Sequence, residues 1–182
     1  MTAFEFIFPL FGLLVGLTYT EMLAGLARAL KSSRHVKIGW LVPLLGVLIL
    51  INLTMFWYGA WQMRHVAVPT SGALLMTLLV GGTYYLAASL VFPNAEDNVA
   101  DLDVHFFRVR RPSLIAIAFC NLLGLGLVAS NAGWSMQPTW WVVNSIFLLV
   151  LLATAVVKPP KVIAGLLLMM IGFHGLAVVI GR

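Results

Sequence analysis

The sequence predicts an all-α, polytopic membrane protein built as a bundle of six transmembrane helices, and three observations predict it. Of 182 residues, 62% are hydrophobic and 9% are charged, whereas soluble domains carry roughly 25% charged residues. The mean hydropathy is +1.02. So few polar groups cannot cover a folded ball in water, and a bilayer must cover it instead. Second, the apolar residues gather into six runs, each near the ~20 helical residues that cross a hydrocarbon layer about 30 Å thick. Third, the segments between the runs are basic, amide-rich or proline-bearing. Hydrocarbon offers backbone groups no partner, so the spans are helices; the alternating short strands of a membrane β-barrel do not occur in the pattern.

The first span is placed at 3–27. It carries Glu5 where a signal peptide would be basic, and it runs too long for such a peptide's apolar core, so it reads as a retained helix. The basic run 31–35 ends it. The second span, 38–62, opens near Trp40 and holds Pro43; Pro9 in the first span and Pro43 here are expected to start or kink a helix. The third, 69–92, opens at Pro69. The fourth, 112–131, is placed after Pro112, the fifth, 139–157, after the polar stretch 131–138, and the sixth, 161–180, after Pro159 and Pro160.

Between the third and fourth spans, 95–111 reads as a short amphipathic helix lying along the membrane surface. Asn94 is placed to cap it, with Glu96 and Asp97 in the favourable first turn and Arg108, Arg110 and Arg111 in the favourable last turn. Val99, Leu102, Phe106 and Val109 recur at helical spacing. The runs GALLMTLLVGG at 72–82 and GLLLMMIGFHG at 165–175 match in part, and the second and fifth spans both begin with a tryptophan, Trp40 and Trp141. These features raise an inverted repeat of three plus three spans, an arrangement common in secondary transporters.

Orientation follows from the Lys and Arg residues. Arg28, Lys31, Arg34, Lys37, Arg108, Arg110, Arg111, Lys158 and Lys161 fall on one side and only Arg64 and Arg182 on the other. Basic loops stay in the cytoplasm, so both termini are expected on the periplasmic or extracellular face of a bacterial inner membrane. Trp57, Trp61, Trp134, Trp140 and Trp141 cluster at that outer interface. The net charge of +5 is explained by this loop bias and by anionic lipid headgroups, for which Lys31, Arg34, Lys37, Arg108, Arg110 and Arg111 are the expected contacts; nucleic acid is set aside.

Polar residues inside the spans are the candidates for function. An ionisable group at a helix centre costs on the order of 2.5 to 3.5 kcal/mol, so Glu21 is the first of them. It sits beside a stripe of small residues, Gly12, Gly16, Thr20 and Ala24, which would let another helix approach closely and would turn Glu21 toward the interior. Its alternative is a bracing pair with Arg28. His174, mid-span and flanked by Gly172 and Gly175, carries an imidazole, a group that suits a relay or gate, or else is a hydrogen-bonded packing residue. Asn52, Asn121, Gly81 and Gly82 coincide in depth, with Tyr84 close by; amides there either tie helices together or line a hydrated path.

No pattern for a hydrolase, a phosphate loop, haem or a multi-ligand metal site is present, and Cys120 stands alone, so no catalytic residue, metal or cofactor is assigned. The leading expectation is a small channel or secondary transporter for protons, a monovalent cation or a small polar solute. The alternative is a non-transporting subunit that assembles with itself or with a larger membrane complex, and an intramembrane enzyme stands third.

Overall fold

A computed structural model describes residues 3–31, 36–62, 64, 70–93, 99–132 and 138–180, with side chains throughout except at 3–4, 131–132 and 176–180. Among the described residues six helices follow one another: α1 (Ala3–Lys31), α2 (Leu41–Gln62), α3 (Ser71–Val91), α4 (Leu102–Ala132), α5 (Pro138–Val156) and α6 (Pro160–Ile180). Five of them are long and apolar enough to cross a membrane; α6 has 21 helical residues.

Local chemistry sets several boundaries. Thr70 caps α3 by accepting the Ala73 amide at 3.1 Å. Pro138 and Pro160 occupy first positions, where the missing amide costs nothing and the ring pre-sets the helical φ. Pro43 falls in the first turn of α2 for the same reason, while Pro9 lies inside α1. Thr18, Thr20, Thr54, Thr77, Thr83 and Thr154 each donate the hydroxyl hydrogen to the carbonyl four residues back, which satisfies them without water.

Pro112 behaves differently from expectation. Helix α4 runs through it without interruption from Leu102 to Ala132, so among the described residues the stretch before Pro112 is continuous with the span and not a separate surface helix. A proline forfeits one hydrogen bond and crowds the carbonyl four residues earlier, here that of Arg108. Both residues are on the exposed side of the helix, where that carbonyl has room. Leu102, Phe106 and Val109 do face inward as their spacing requires. Asn94, Glu96, Asp97, Arg34, Pro69 and Trp134 lie outside the described residues.

Helix α2 is the central post. It touches α1, α3, α4 and α6, while the other five pack side by side in the order α1, α3, α4, α5, α6. The two halves of the chain are packed unlike each other: α1 lies along α3, but α4 and α6, their counterparts in a repeat, make no contact among the described residues. Leu45, Leu48, Ile49, Leu114, Ile117, Leu151 and Ile163 are fully buried. Outward, Leu13, Leu75, Leu86, Leu122, Leu149 and Leu168 are each more than half exposed. A girdle of leucine on every side is untenable in water and ordinary in lipid, which is the physical mark of a membrane-embedded bundle.

At the end that carries most of the basic residues, a clasp joins the segment before α2 to the segment before α4. The Lys37 amide donates to the Ala100 carbonyl at 2.9 Å and the Leu102 amide to the Lys37 carbonyl at 3.1 Å. Asp103 accepts the Leu41 amide at 3.1 Å and so caps α2 from across the clasp. A Cβ on Gly39 would stand 1.9 Å from the Asp103 carboxyl carbon, so only glycine admits this cap.

The amide of Asp103, followed by Lys37 at 3.2 Å, holds the Asp101 carboxyl below its ordinary value of 3.8. A depressed carboxylate contributes stability above its unfolded pKa and loses it as pH falls through the lower folded value. Amide exchange at Lys37 and Leu102, taken relative to the intrinsic rate at the same pH, is therefore expected to quicken below about pH 4, while relative exchange at the centre of α2 stays slow. Equal acceleration at both places would show that the clasp plays no part.

Candidate functional site

A cavity of about 600 Å³ opens among the ends of the helices that bear Trp57, Trp61, Trp140 and Trp141, and all six helices line it. Its rim includes Gly59, Thr70, Gly72 and Trp140 and its base is formed by Asn52, Val80 and Asn121. From Thr70 to Val80 is ten residues of α3, about 15 Å of helix at 1.5 Å per residue, so the space reaches mid-bundle. Below the base, Leu45, Leu48, Ile49, Tyr84, Leu114 and Ile117 are packed solid, and the cavity is blind toward the basic end.

The walls are mostly apolar. Phe11 stacks on Trp57 at 5.6 Å, Phe8 tilts against the same indole at 4.3 Å, and Phe56 lies 5.7 Å from Tyr84. Size, depth and an apolar wall with few polar groups are the usual attributes of a small-molecule site. The polar groups are placed by helix geometry. Asn52 and Met55 are neighbours on one face of α2, as are Thr77 and Val80 on α3 and Asn121 and Gly124 on α4, each pair at a spacing of three.

The amide oxygen of Asn52 accepts two hydrogen bonds, from the Tyr84 hydroxyl and, at 3.1 Å, from Asn121 Nδ2. Asn121 Nδ2 also donates to the Ile117 carbonyl at 2.8 Å. This triad joins α2, α3 and α4 at one depth, as the coincidence of Asn52 and Asn121 in the sequence anticipates. It leaves Asn52 Nδ2 as a donor and Asn121 Oδ1 as an acceptor with no bonded partner among the described residues, on side chains that line the cavity. Tyr84 itself lies behind the base, fully buried.

His174 also lines the cavity and is 9% exposed. Its Nδ1 lies 2.9 Å from the Met170 carbonyl, which can only accept, so Nδ1 carries a hydrogen, and the imidazole tautomer compatible with that bond has its lone pair on Nε2. The Phe147 ring stands edge-on to the imidazole at 4.9 Å. Three residues earlier on α5, Asn144 donates to the Trp140 carbonyl at 2.8 Å and lines the cavity. Asn144 and Thr77 did not stand out in the sequence. A lone amide near the end of an apolar run resembles an interfacial residue, and only the packing of α5 against α4 and α6 turns it inward.

Other candidates sit elsewhere. Glu21 is outside the cavity, 3.1 Å from Arg28, with both side chains partly exposed (29% and 42%). Seven residues apart are two helical turns, so the long arginine reaches back along α1 and the carboxylate has its counter-charge without entering the bundle. Gly81 does not break α3; an added Cβ there would stand 2.7 Å from Leu14, so α3 approaches α1 closely at this point, whereas Gly82 has open space beside it.

The small-residue stripe divides. Gly12 meets Trp57, with 3.1 Å to a Cβ, but Gly16 and Thr20 face outward and Ala24 is half-buried. Of the expected headgroup contacts, Lys31, Lys37, Arg108 and Arg111 are exposed and Arg34 is not described. Arg110 is buried, donating to the Val157 carbonyl just beyond α5 with its guanidinium 4.9 Å from the Phe107 ring centre. His105, on the same helix, bonds the Leu90 carbonyl near the end of α3 at 3.2 Å. Both place a basic side chain at the negative end of a neighbouring helix.

No group of three or more metal-ligating side chains occurs among the described residues. Comparison with protein-family models, with curated proteins and with solved structures returns no match.

Proposed function

We propose that this chain is a six-span secondary carrier for a small polar solute, and that the blind cavity is its binding place. The observation that carries the reading is the convergence of Asn52, Asn121, Asn144 and His174, from four different helices, on one space whose base lies at mid-bundle. Amides that only tie helices together use their donors and acceptors on each other. Here each residue has one polar function engaged with the protein and one left toward the cavity. A site near the bilayer midplane, open at one end and packed shut at the other, is one of the two states that alternating access requires.

With the basic loops cytoplasmic and both termini outside, the cavity faces the exterior of a bacterial inner membrane. Protons and metal cations are less suited to it than a neutral solute, because Glu21 stands outside it and no carboxylate is among its described lining.

A second reading, a non-transporting subunit, draws on the outward face of α1, where Gly16 has nothing within 4 Å and Thr20 is exposed. A helix of a second copy or of a larger complex fits such a seam.

Stopped-flow swelling of proteoliposomes separates the two. With urea, glycerol, erythritol and tryptophol as osmolytes, the wild type is expected to admit at least one faster than empty vesicles. Asn121→Leu should slow that solute roughly tenfold, the equivalent of about one hydrogen bond lost at the base. Glu21→Gln should leave it unchanged. No acceleration for any solute would favour the subunit, and sensitivity to Glu21→Gln but not to Asn121→Leu would move the pathway to α1.

A further inference from the structure

The cavity's polar inventory is lopsided, and its sign names a class of solute. Asn121 Oδ1, Asn144 Oδ1 and the His174 Nε2 lone pair are acceptors. Thr77 joins them, because its hydroxyl hydrogen is spent on the Ala73 carbonyl at 2.9 Å and only its oxygen lone pairs remain. Against these four, the deep part of the cavity offers two donor groups, Asn52 Nδ2 and the second hydrogen of Asn144 Nδ2. No Asp, Glu, Lys or Arg from any of the six helices is among the described lining residues.

We infer that the site selects an uncharged amphipathic solute whose polar end carries hydroxyl or N–H donors, bound head-inward with an apolar or aromatic body against Phe8, Phe11, Phe56 and Trp140. The inference rests on the reading of the cavity as a solute site and goes beyond it in fixing the polarity of the head and the nature of the body. A donor-bearing head matches four acceptors that water otherwise occupies. An acceptor-only head, such as an ether, leaves them unpaired and loses the desolvation of each. A charged head fares worse: no counter-ion is among the described lining residues, and a bare charge at that depth is costly to desolvate. The ring-lined upper half, by contrast, gains from any planar apolar body through area and ring contacts. Specificity of this kind, in which the protein's own buried polar groups punish the analogue that lacks a partner for them, is stronger than discrimination by shape alone.

Four ligands with one indole body test it: tryptophol, which has two donors; its N,O-dimethyl derivative, which has none; tryptamine, a cation; and indole-3-acetate, an anion. Binding to wild-type protein in lipid nanodiscs is measured by calorimetry at pH 7.5 against empty nanodiscs, so partition into lipid is subtracted. Tryptophol is expected to bind at least tenfold more tightly than each of the other three, and His174→Phe, which keeps a ring beside Phe147, should narrow its lead over the dimethyl derivative. The wild-type comparison needs no variant to fold. Equal affinity of tryptophol and the dimethyl derivative would overturn the inference, leaving an unselective apolar pocket. A tighter complex with tryptamine or indole-3-acetate would overturn it in favour of a charged solute. Donor-selective binding without solute flux in the swelling assay would uphold the inference and remove the carrier reading. Absence of binding by all four would overturn the inference, while flux of urea, glycerol or erythritol in the swelling assay would still uphold the carrier reading.

Discussion

Asn52→Leu is expected to lower the stability of the folded bundle by about 2 to 3 kcal/mol, the cost of stranding the buried Tyr84 hydroxyl and stripping Asn121 of one acceptor. In a chain of this size that corresponds to a fall in melting temperature of roughly 5 to 10 °C in detergent. The argument is one of partners, not of volume. Leucine matches asparagine in heavy-atom count and branching, and the neighbouring Leu48, Ile49 and Leu53 on the same helix are apolar and fully buried. What changes is that a phenol with no access to water loses its acceptor. The double replacement Asn52→Leu with Tyr84→Phe should therefore recover the part of the loss that comes from the phenol, leaving only the second Asn121 hydrogen without its former acceptor. A double variant no more stable than the single would show that the triad is not what holds α2 to α3. Tryptophol binding should weaken in both, because the Asn52 donor has gone, but persist through the acceptors that remain.

The second large effect is at the crossing of α1 and α3. Gly81→Ala is expected to destabilise by about 1 to 3 kcal/mol through overpacking, because the new methyl would stand 2.8 Å from the Leu14 Cβ as well as 2.7 Å from its Cδ1. The Cδ1 contact can be relieved by a rotamer change. The Cβ contact cannot, since that carbon is fixed to the backbone of α1, and the two helices must move apart. Gly82→Ala is the control: nothing lies within 4 Å of its position, so the exchange should be neutral or stabilising by about 0.5 to 1 kcal/mol through helix propensity. Differential scanning fluorimetry of the two variants checks the pair. Similar behaviour at 81 and 82 would mean that α1 and α3 are held apart by something other than this contact.

These two sites show how far the sequence could be read. The depth of Asn52 and Asn121 is countable along their runs, and the structure joins them by a 3.1 Å bond. The same counting placed Gly81 and Gly82 at that depth but could not divide their roles, because adjacent residues on a helix point about 100° apart and only the position of Leu14 distinguishes them. Glu21 was legible as a costly group and its partner Arg28 as a possibility, yet the choice between a bundle-facing carboxylate and an outward ion pair depends on which side of α1 receives α2 and α3. Pro112 was misread for a related reason. A proline forbids one hydrogen bond, not a helix, and α4 has enough buried residues on both sides of it, Phe106, Val109, Leu114 and Ile117, to pass straight through.

The sequence by itself determined that this is a helical protein embedded in a membrane, where most of its helices begin and end, and which polar residues lie at mid-depth. Those follow from the solvent: hydrocarbon demands closed backbone hydrogen bonding and roughly 20-residue apolar runs, and both are written along the chain. Only the tertiary structure decided which faces meet. Lipid and protein interior are equally apolar, so a helix that is hydrophobic all round carries no mark of its inner side. The cavity, the inward turn of Asn144 and the burial of Arg110 are therefore properties of the packing.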